Sequence, residues 1–202
     1  MRVIIAGEIA VYTDVVANSE SIIEVIQEKL DQKQMVLSHI VADGLEIYSE
    51  IDSYLSTHLS DIEEVIVVGL SLQEALSQNM ISAVQYVERA TPEVEVLINQ
   101  IIQGSSAQGW ETFAELAEGL EWMLQFLSLM ENNQSAAADS SVFTPLRTEL
   151  EAVLGSLQEA MNNEDIVLIA DVLKYELIPY FSSFQKQINP LIDNEDASHD
   201  TI

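Results

Sequence analysis

The sequence predicts an α+β chain in two parts, a small mixed α/β head over residues 1–70 and an antiparallel α-helical bundle over residues 71–190, followed by an acidic flexible tail over residues 191–202. Three observations predict it. Short β-branched runs, such as Val65-Ile66-Val67-Val68, read as strands up to Gly69. Beyond Ser71, apolar residues recur at spacings of three and four, the period of a helix with one buried face. Hydrophobic residues make up 48% of the 202 positions, enough for a sizeable core.

In the head, Arg2 to Ala6 is β-branched and apolar, Gly7-Glu8 supplies a turn, and Ile9 to Thr13 resumes the pattern, which reads as a hairpin. Asn18, Ser19 or Ser21 can cap a helix carrying Ile22, Ile23, Ile26 and Leu30 at helical spacing. Glu20 and Glu24 stand early in it and Lys29 and Lys33 late, as the helix dipole favours. Met35 to Val41 is a second strand region, Asp43-Gly44 a tight turn, and Leu45 to Tyr48 its return. A short helix around Ile51 to Leu59 and a buried strand over Ile62 to Leu70 complete the order β-β-α-β-β-α-β.

That order resembles the β-grasp fold of ubiquitin-like domains, in which two hairpins flank one main helix and the last strand lies centrally in a mixed sheet. A ferredoxin-like or other α+β arrangement shares the same elements. The sulfur-carrier and conjugation activities of ubiquitin-like proteins need a free Gly-Gly carboxy terminus, whereas here Gly69 leads straight into Ser71 and a long helix.

In the helical part, Leu72, Leu76, Met80, Ile81, Val84 and Val87 form the first stripe. Thr91-Pro92-Glu93 reads as a fresh N-terminus, with Thr91 as cap, Pro92 at the first helical position, and Val94 to Ile102 on a second, shorter helix; a kinked continuous helix is the alternative. Gly104-Ser105-Ser106 ends it. Trp110, Phe113, Ala117, Leu120, Leu124 and Leu127 then give the most regular stripe in the chain, broadened by Met123, Phe126 and Met130. Residues 131–141 are small, polar and without period, as expected of a flexible connection. Thr144-Pro145 opens the next helix, and Asn162-Asn163 ends it with Asn163 capping its successor. The last helix is expected from Glu164 to about Ile188, broken or kinked at Pro179, with Pro190 closing the ordered chain.

Two strings, Gly119-Leu-Glu-Trp-Met-Leu-Gln-Phe-Leu127 and the run from Glu164 to Pro179, resemble segments of uncharacterised proteins from spore-forming Gram-positive bacteria in which an acidic α+β head precedes a helical bundle. The resemblance implies the two-part architecture, a bacterial source and no particular activity.

Composition excludes several function classes. The net charge is −27, from 34 acidic and 7 basic side chains, and repels nucleic-acid phosphates and anionic membrane surfaces. It is spread along the chain: residues 1–70 hold 13 acids and 3 bases, and residues 71–202 hold 21 and 4. With no cysteine there is no disulfide, thiolate nucleophile or thiolate metal site. The amino terminus is too short in apolar residues for a signal peptide, and no stretch reaches the roughly 18 apolar residues of a membrane span. A soluble cytoplasmic protein is expected.

No chemistry-bearing motif stands out. The three histidines, His39, His58 and His199, form no HExxH or ExxH pairing. The tail acids Asp193, Glu195, Asp196 and Asp200 lack the spacing of a calcium loop. Phosphate-binding glycine motifs and the Gly-x-Ser-x-Gly elbow are absent. The sequence therefore predicts a non-enzymatic protein with no cofactor and no metal. Its expected activity is protein binding, as an adaptor or chaperone-like module, through bundle or sheet surface. Two alternatives remain, a homo-oligomeric structural or regulatory protein, and an enzyme or small-ligand binder with a pocket between the two parts. Met80, Met123, Met130, Met161 and the bundle aromatics, Trp110 among them, are candidates to line a groove for a partner helix, since Met and aromatic side chains adapt to varied surfaces. Trp122, Phe126, Met130, Tyr175 and Tyr180 are the candidate partner-binding residues.

Overall fold

The structure, a computed structural model, describes residues 1–5, 7–11, 19–104, 107–133 and 140–199. The chain forms two compact units, Met1–Ala75 and Leu76–Ile202, each described by itself below.

The first unit is a five-stranded mixed sheet with two helices, in the order β1 (Arg2–Ile5), β2 (Glu8–Val11), α1 (Ser19–Gln32), β3 (Met35–Ala42), β4 (Leu45–Ile47), α2 (Ile51–His58) and β5 (Glu64–Ser71). Of the three candidate caps, Ser19 and Ser21 lie within α1, while Asn18 and the expected strand end at Tyr12 and Thr13 lie outside the described residues. Spatially the strands run β2-β1-β5-β3-β4, with β1 parallel to β5 and the other pairs antiparallel. This is the β-grasp arrangement, with the last strand at the centre. Strand alternation puts Val3, Ile5, Ile40, Ala42, Val65 and Val67 on one face, where they are buried with Ile22, Ile26 and Leu30 of α1 and Leu55 of α2. Gly69 permits the close approach of α1: a Cβ there would meet Leu30 Cδ2 at 2.6 Å.

The turn between β3 and β4 has positive φ at both Asp43 (46°) and Gly44 (87°), as the Asp-Gly pair predicts. The Asp43 carboxylate also accepts hydrogen bonds from the backbone N–H groups of Glu63 and Glu64, which ties this turn to the start of β5.

The second unit is helical: α3 (Leu72–Ile102, begun in the first unit), α4 (Ala107–Asn132), a 3₁₀ turn (Ser140–Val142), α5 (Phe143–Asn162), α6 (Ile166–Val172), a π-helical segment (Leu173–Leu177) and α7 (Ile178–His199). One continuous core runs through it, including Met80, Val87, Leu97, Leu120, Met123, Phe143, Leu150, Phe181 and Phe184.

Four boundaries differ from expectation. Thr91-Pro92 does not start a new helix; α3 continues through it for 31 residues. The buried stripe crosses the proline in phase, Met80, Val84, Val87, Val94, Ile98 and Ile101. Burial worth about 1.5–3 kcal/mol per side chain outweighs the roughly 3 kcal/mol that an interior proline costs. Thr91, expected as a cap, donates its hydroxyl to the Val87 carbonyl at 2.7 Å instead. Pro190 likewise does not close the ordered chain, because Ile188 and Leu191 are both buried on the face that continues Phe181 and Phe184. Residues 191–199, expected as a tail, are the end of α7. The connection expected at residues 131–141 is narrower: Glu131 and Asn132 end α4, Ser140 begins the 3₁₀ turn, and residues 134–139 lie outside the described residues.

The α5–α6 junction is the fourth. Asn163 does not cap the next helix. Glu164 takes a left-handed conformation (φ 53°), and the Asp165 carboxylate accepts from Leu168 N–H at 2.9 Å, so the helix starts at Ile166. Pro179 acts one turn upstream of itself. It lacks the N–H that would close the regular helix, and residues 173–177 widen into π geometry, with Ile178 N–H reaching the Leu173 carbonyl.

Candidate functional site

Three helix segments build an apolar groove at one end of the helical unit. The N-terminal half of α4 supplies Phe113, Leu116, Ala117 and Leu120. The C-terminal half of α5 supplies Leu154, Leu157, Gln158, Met161 and Asn162, and together they enclose about 450 Å3. A second hollow of about 300 Å3, lined by Trp110, Met161, Glu164, Ile166 and Ile169, adjoins it at the shared Met161.

The local sequence explains the hollow. At Ala117 a small residue stands where the stripe of α4 elsewhere carries large ones, so the wall facing α5 is low there. At the far end the left-handed Glu164 and the Asp165 cap turn the chain sharply into α6. Ile166, Val167 and Leu168 are consecutive, and at 100° per residue a helix cannot bury all three. Val167 is 71% exposed and Leu168 is exposed as well, while Ile166, Met161 (47%) and Trp110 (40%) are exposed where they line the second hollow. Trp110 stands edge-on to Phe113, ring centroids 5.9 Å apart, which fixes it at the mouth. Single exposed apolar side chains are ordinary; three that line adjoining apolar hollows, Trp110, Met161 and Ile166, mark an interaction site.

Polar chemistry is sparse here. Gln158, Asn162 and Glu164 are the polar groups lining the two hollows, and no lysine or arginine does so. The shifted titratable groups lie elsewhere. Burial, then the charge of Glu149, pushes the Tyr180 phenol well above its ordinary value, and burial raises that of Tyr86. The hydrogen bond to Glu46 raises Tyr48, and Lys33 followed by Lys29 lowers Glu8. His39 stacks on Tyr48 at 4.4 Å and His58 on Tyr54 at 4.5 Å, neither among the groove residues. Among the described residues, no group of three or more His, Asp or Glu is placed to hold a metal ion, and no helix is long and apolar enough to cross a membrane.

Of the five candidate partner-binding residues, three require correction. Phe126, Met130 and Tyr180 are buried in the core, where Phe126 packs against Phe143 and Phe184 and Tyr180 against Phe181 and Phe184. Trp122 is partly exposed but stacks on Phe126 and sits edge-on to Tyr86. Tyr175 is 64% exposed on the π segment, with Lys174 Nζ 5.1 Å from its ring centre. The structure does not bring these two together with the groove. It does place two of the wider candidates, Trp110 and Met161, at its mouth. Ile166, which lines the second hollow, is a site residue the sequence reading does not single out, and the Ile-Val-Leu run is the signal that could have found it.

Residues 78–187 match the family described as Domain of unknown function (DUF8042), a span of 110 residues (187 − 78 + 1) and more than half of the 202-residue chain. The chain belongs to this family. The DUF8042 match begins in α3 and ends in α7, so it contains Trp110, Ala117, Met161 and Ile166 and leaves out the β-grasp unit. No curated protein and no solved structure matches the chain.

Proposed function

We propose that this DUF8042 protein is a non-enzymatic interaction module that holds a protein partner in the α4–α5–α6 groove. The observation that carries the reading is the exposed apolar rim, Trp110, Met161 and Ile166, around a groove floored by Phe113, Leu116 and Leu157. Leaving one such side chain in water forgoes about 1.5–3 kcal/mol of burial, and a partner recovers it. The lining has a methionine and a tryptophan to adapt to that partner and a single carboxylate, Glu164, which favours binding over acid/base chemistry. The lack of cysteine fits a reducing compartment, and we place the protein in the bacterial cytoplasm on that ground and on the resemblance at residues 119–127 and 164–179.

Ala117→Phe tests the reading, because Ala117 is exposed and a phenyl ring there fills the groove without removing a core contact. Affinity capture from the native host with the intact chain is expected to retain a partner that Ala117→Phe releases. A partner held equally by both chains would contradict the groove. Light scattering after size exclusion is expected to show a monomer; a dimer dispersed by Ala117→Phe would assign the groove to a second copy instead.

A further inference from the structure

The charge and length of the groove define the chemistry of its occupant, an inference that rests on the docking reading above. Glu164 lines the mouth, Glu121 stands one helical turn beyond Ala117 on α4, and Glu151 stands two turns before Gln158 on the same edge of α5; all three are exposed. Arg147, one turn before Glu151 on α5, is shared between Glu131 at 2.7 Å and Glu151 at 2.5 Å, two carboxylates to one guanidinium, so the group keeps a net negative charge. Residues 71–202 carry 21 carboxylates against Arg89, Arg147, Lys174 and Lys186. A second copy of the chain would bring this same acidity to the rim and be repelled by it.

The shape selects a helix. On α4 the lining runs from Trp110 to Leu120, eleven residues whose ten steps span about 15 Å at 1.5 Å per residue, or about three turns. The walls are helices, whose backbone groups are already paired, so an extended peptide would find no open strand edge to extend. An apolar floor between acidic edges is complementary to a helix whose apolar stripe is flanked by cations. We propose that the groove binds a cationic amphipathic helix of about three turns, with apolar anchors one and two turns apart and lysine or arginine on both flanks.

Four labelled synthetic peptides of about three to four turns test this. Three share one leucine stripe and carry lysine, glutamine or glutamate on the polar face; the fourth has the composition of the lysine peptide in an order without a stripe. Fluorescence anisotropy is read with the full chain, Ala117→Phe, Ile166→Ser and the double variant Glu121→Lys/Glu164→Lys, each shown by circular dichroism to be folded. The lysine-stripe peptide is expected to bind at least about tenfold tighter than the glutamine one and to weaken as salt rises. Ala117→Phe and Ile166→Ser should each weaken it, and the lysine double variant should shift preference towards the glutamate peptide. Equal binding of the three stripe peptides, all weakened by Ala117→Phe, would overturn the charge inference and leave the docking reading standing. Binding indifferent to both groove variants, binding matched by the stripeless peptide, or no binding at all would overturn both.

Discussion

Tyr180 is a polar residue buried in the core of the helical unit. Its hydroxyl is buried without a hydrogen-bond partner and its ring lies among Phe181 and Phe184. An unpaired buried hydroxyl gives nothing back for the water it lost, so Tyr180→Phe is expected to leave stability unchanged or raise it by up to about 1 kcal/mol in urea denaturation. The same burial sets a pH dependence. The folded phenol ionises above the ordinary value of 10.0, so below pH 10 its contribution is fully present. Above that pH the unfolded chain releases a proton that the folded chain keeps, and stability falls as pH rises. Tyr180→Phe should lessen that alkaline loss. A second residue, Gly119 in the middle of α4, has a reason not to be alanine: a Cβ there would overlap the Tyr86 phenol, 2.7 Å from its Cε2 and closer to its hydroxyl. Helix propensity alone would favour Gly119→Ala by about 1 kcal/mol. The overlap is expected to reverse the sign, costing about 1–3 kcal/mol, with most of it recovered when Tyr86→Leu is added in a double-mutant cycle.

At the scale of elements, the strands and helices of the first unit follow from short β-branched runs, one Asp-Gly turn and an amphipathic helix with charges placed by the dipole, all local signals. The two boundaries misread at prolines share one cause. Thr91-Pro92 and Pro190 each carry a strong local stop signal, yet the buried stripe continues in phase beyond them, Val87 to Val94 and Ile188 to Leu191, so tertiary burial overrides the local preference. At the α5–α6 junction Asn163 and Asp165 are both acceptable caps by residue type. The choice is made by the left-handed backbone of Glu164, which a sequence pattern does not encode. Asp165→Ala is accordingly expected to cost about 0.5–2 kcal/mol of stability, and Asn163→Ala a few tenths at most. Thermal melts of the two variants side by side decide between them.

For the whole molecule, the charge of −27 was plain from composition, and its consequence is self-repulsion in the folded state. Raising the salt from about 20 mM to about 500 mM shortens the screening length several-fold and should raise the melting temperature. A melting temperature independent of salt would mean the carboxylates are too widely spread to interact. The groove was only half legible. Met and aromatic residues marked the bundle as adaptable, but whether Phe126 and Met130 face the core or Trp110 and Met161 face water depends on which neighbour covers each helix face, and that is set by packing between helices distant in sequence. Finally, Ser71 ends the central strand β5 and Leu72 begins α3, so no residue lies between the two elements. A protease has no loose segment to enter there. An evolutionary fusion or excision at this point would take away either the middle of the sheet or the first turn of the longest helix, so limited digestion should leave residues 64–102 in a single fragment, and the head is not a cassette that recombination can exchange at this junction without loss.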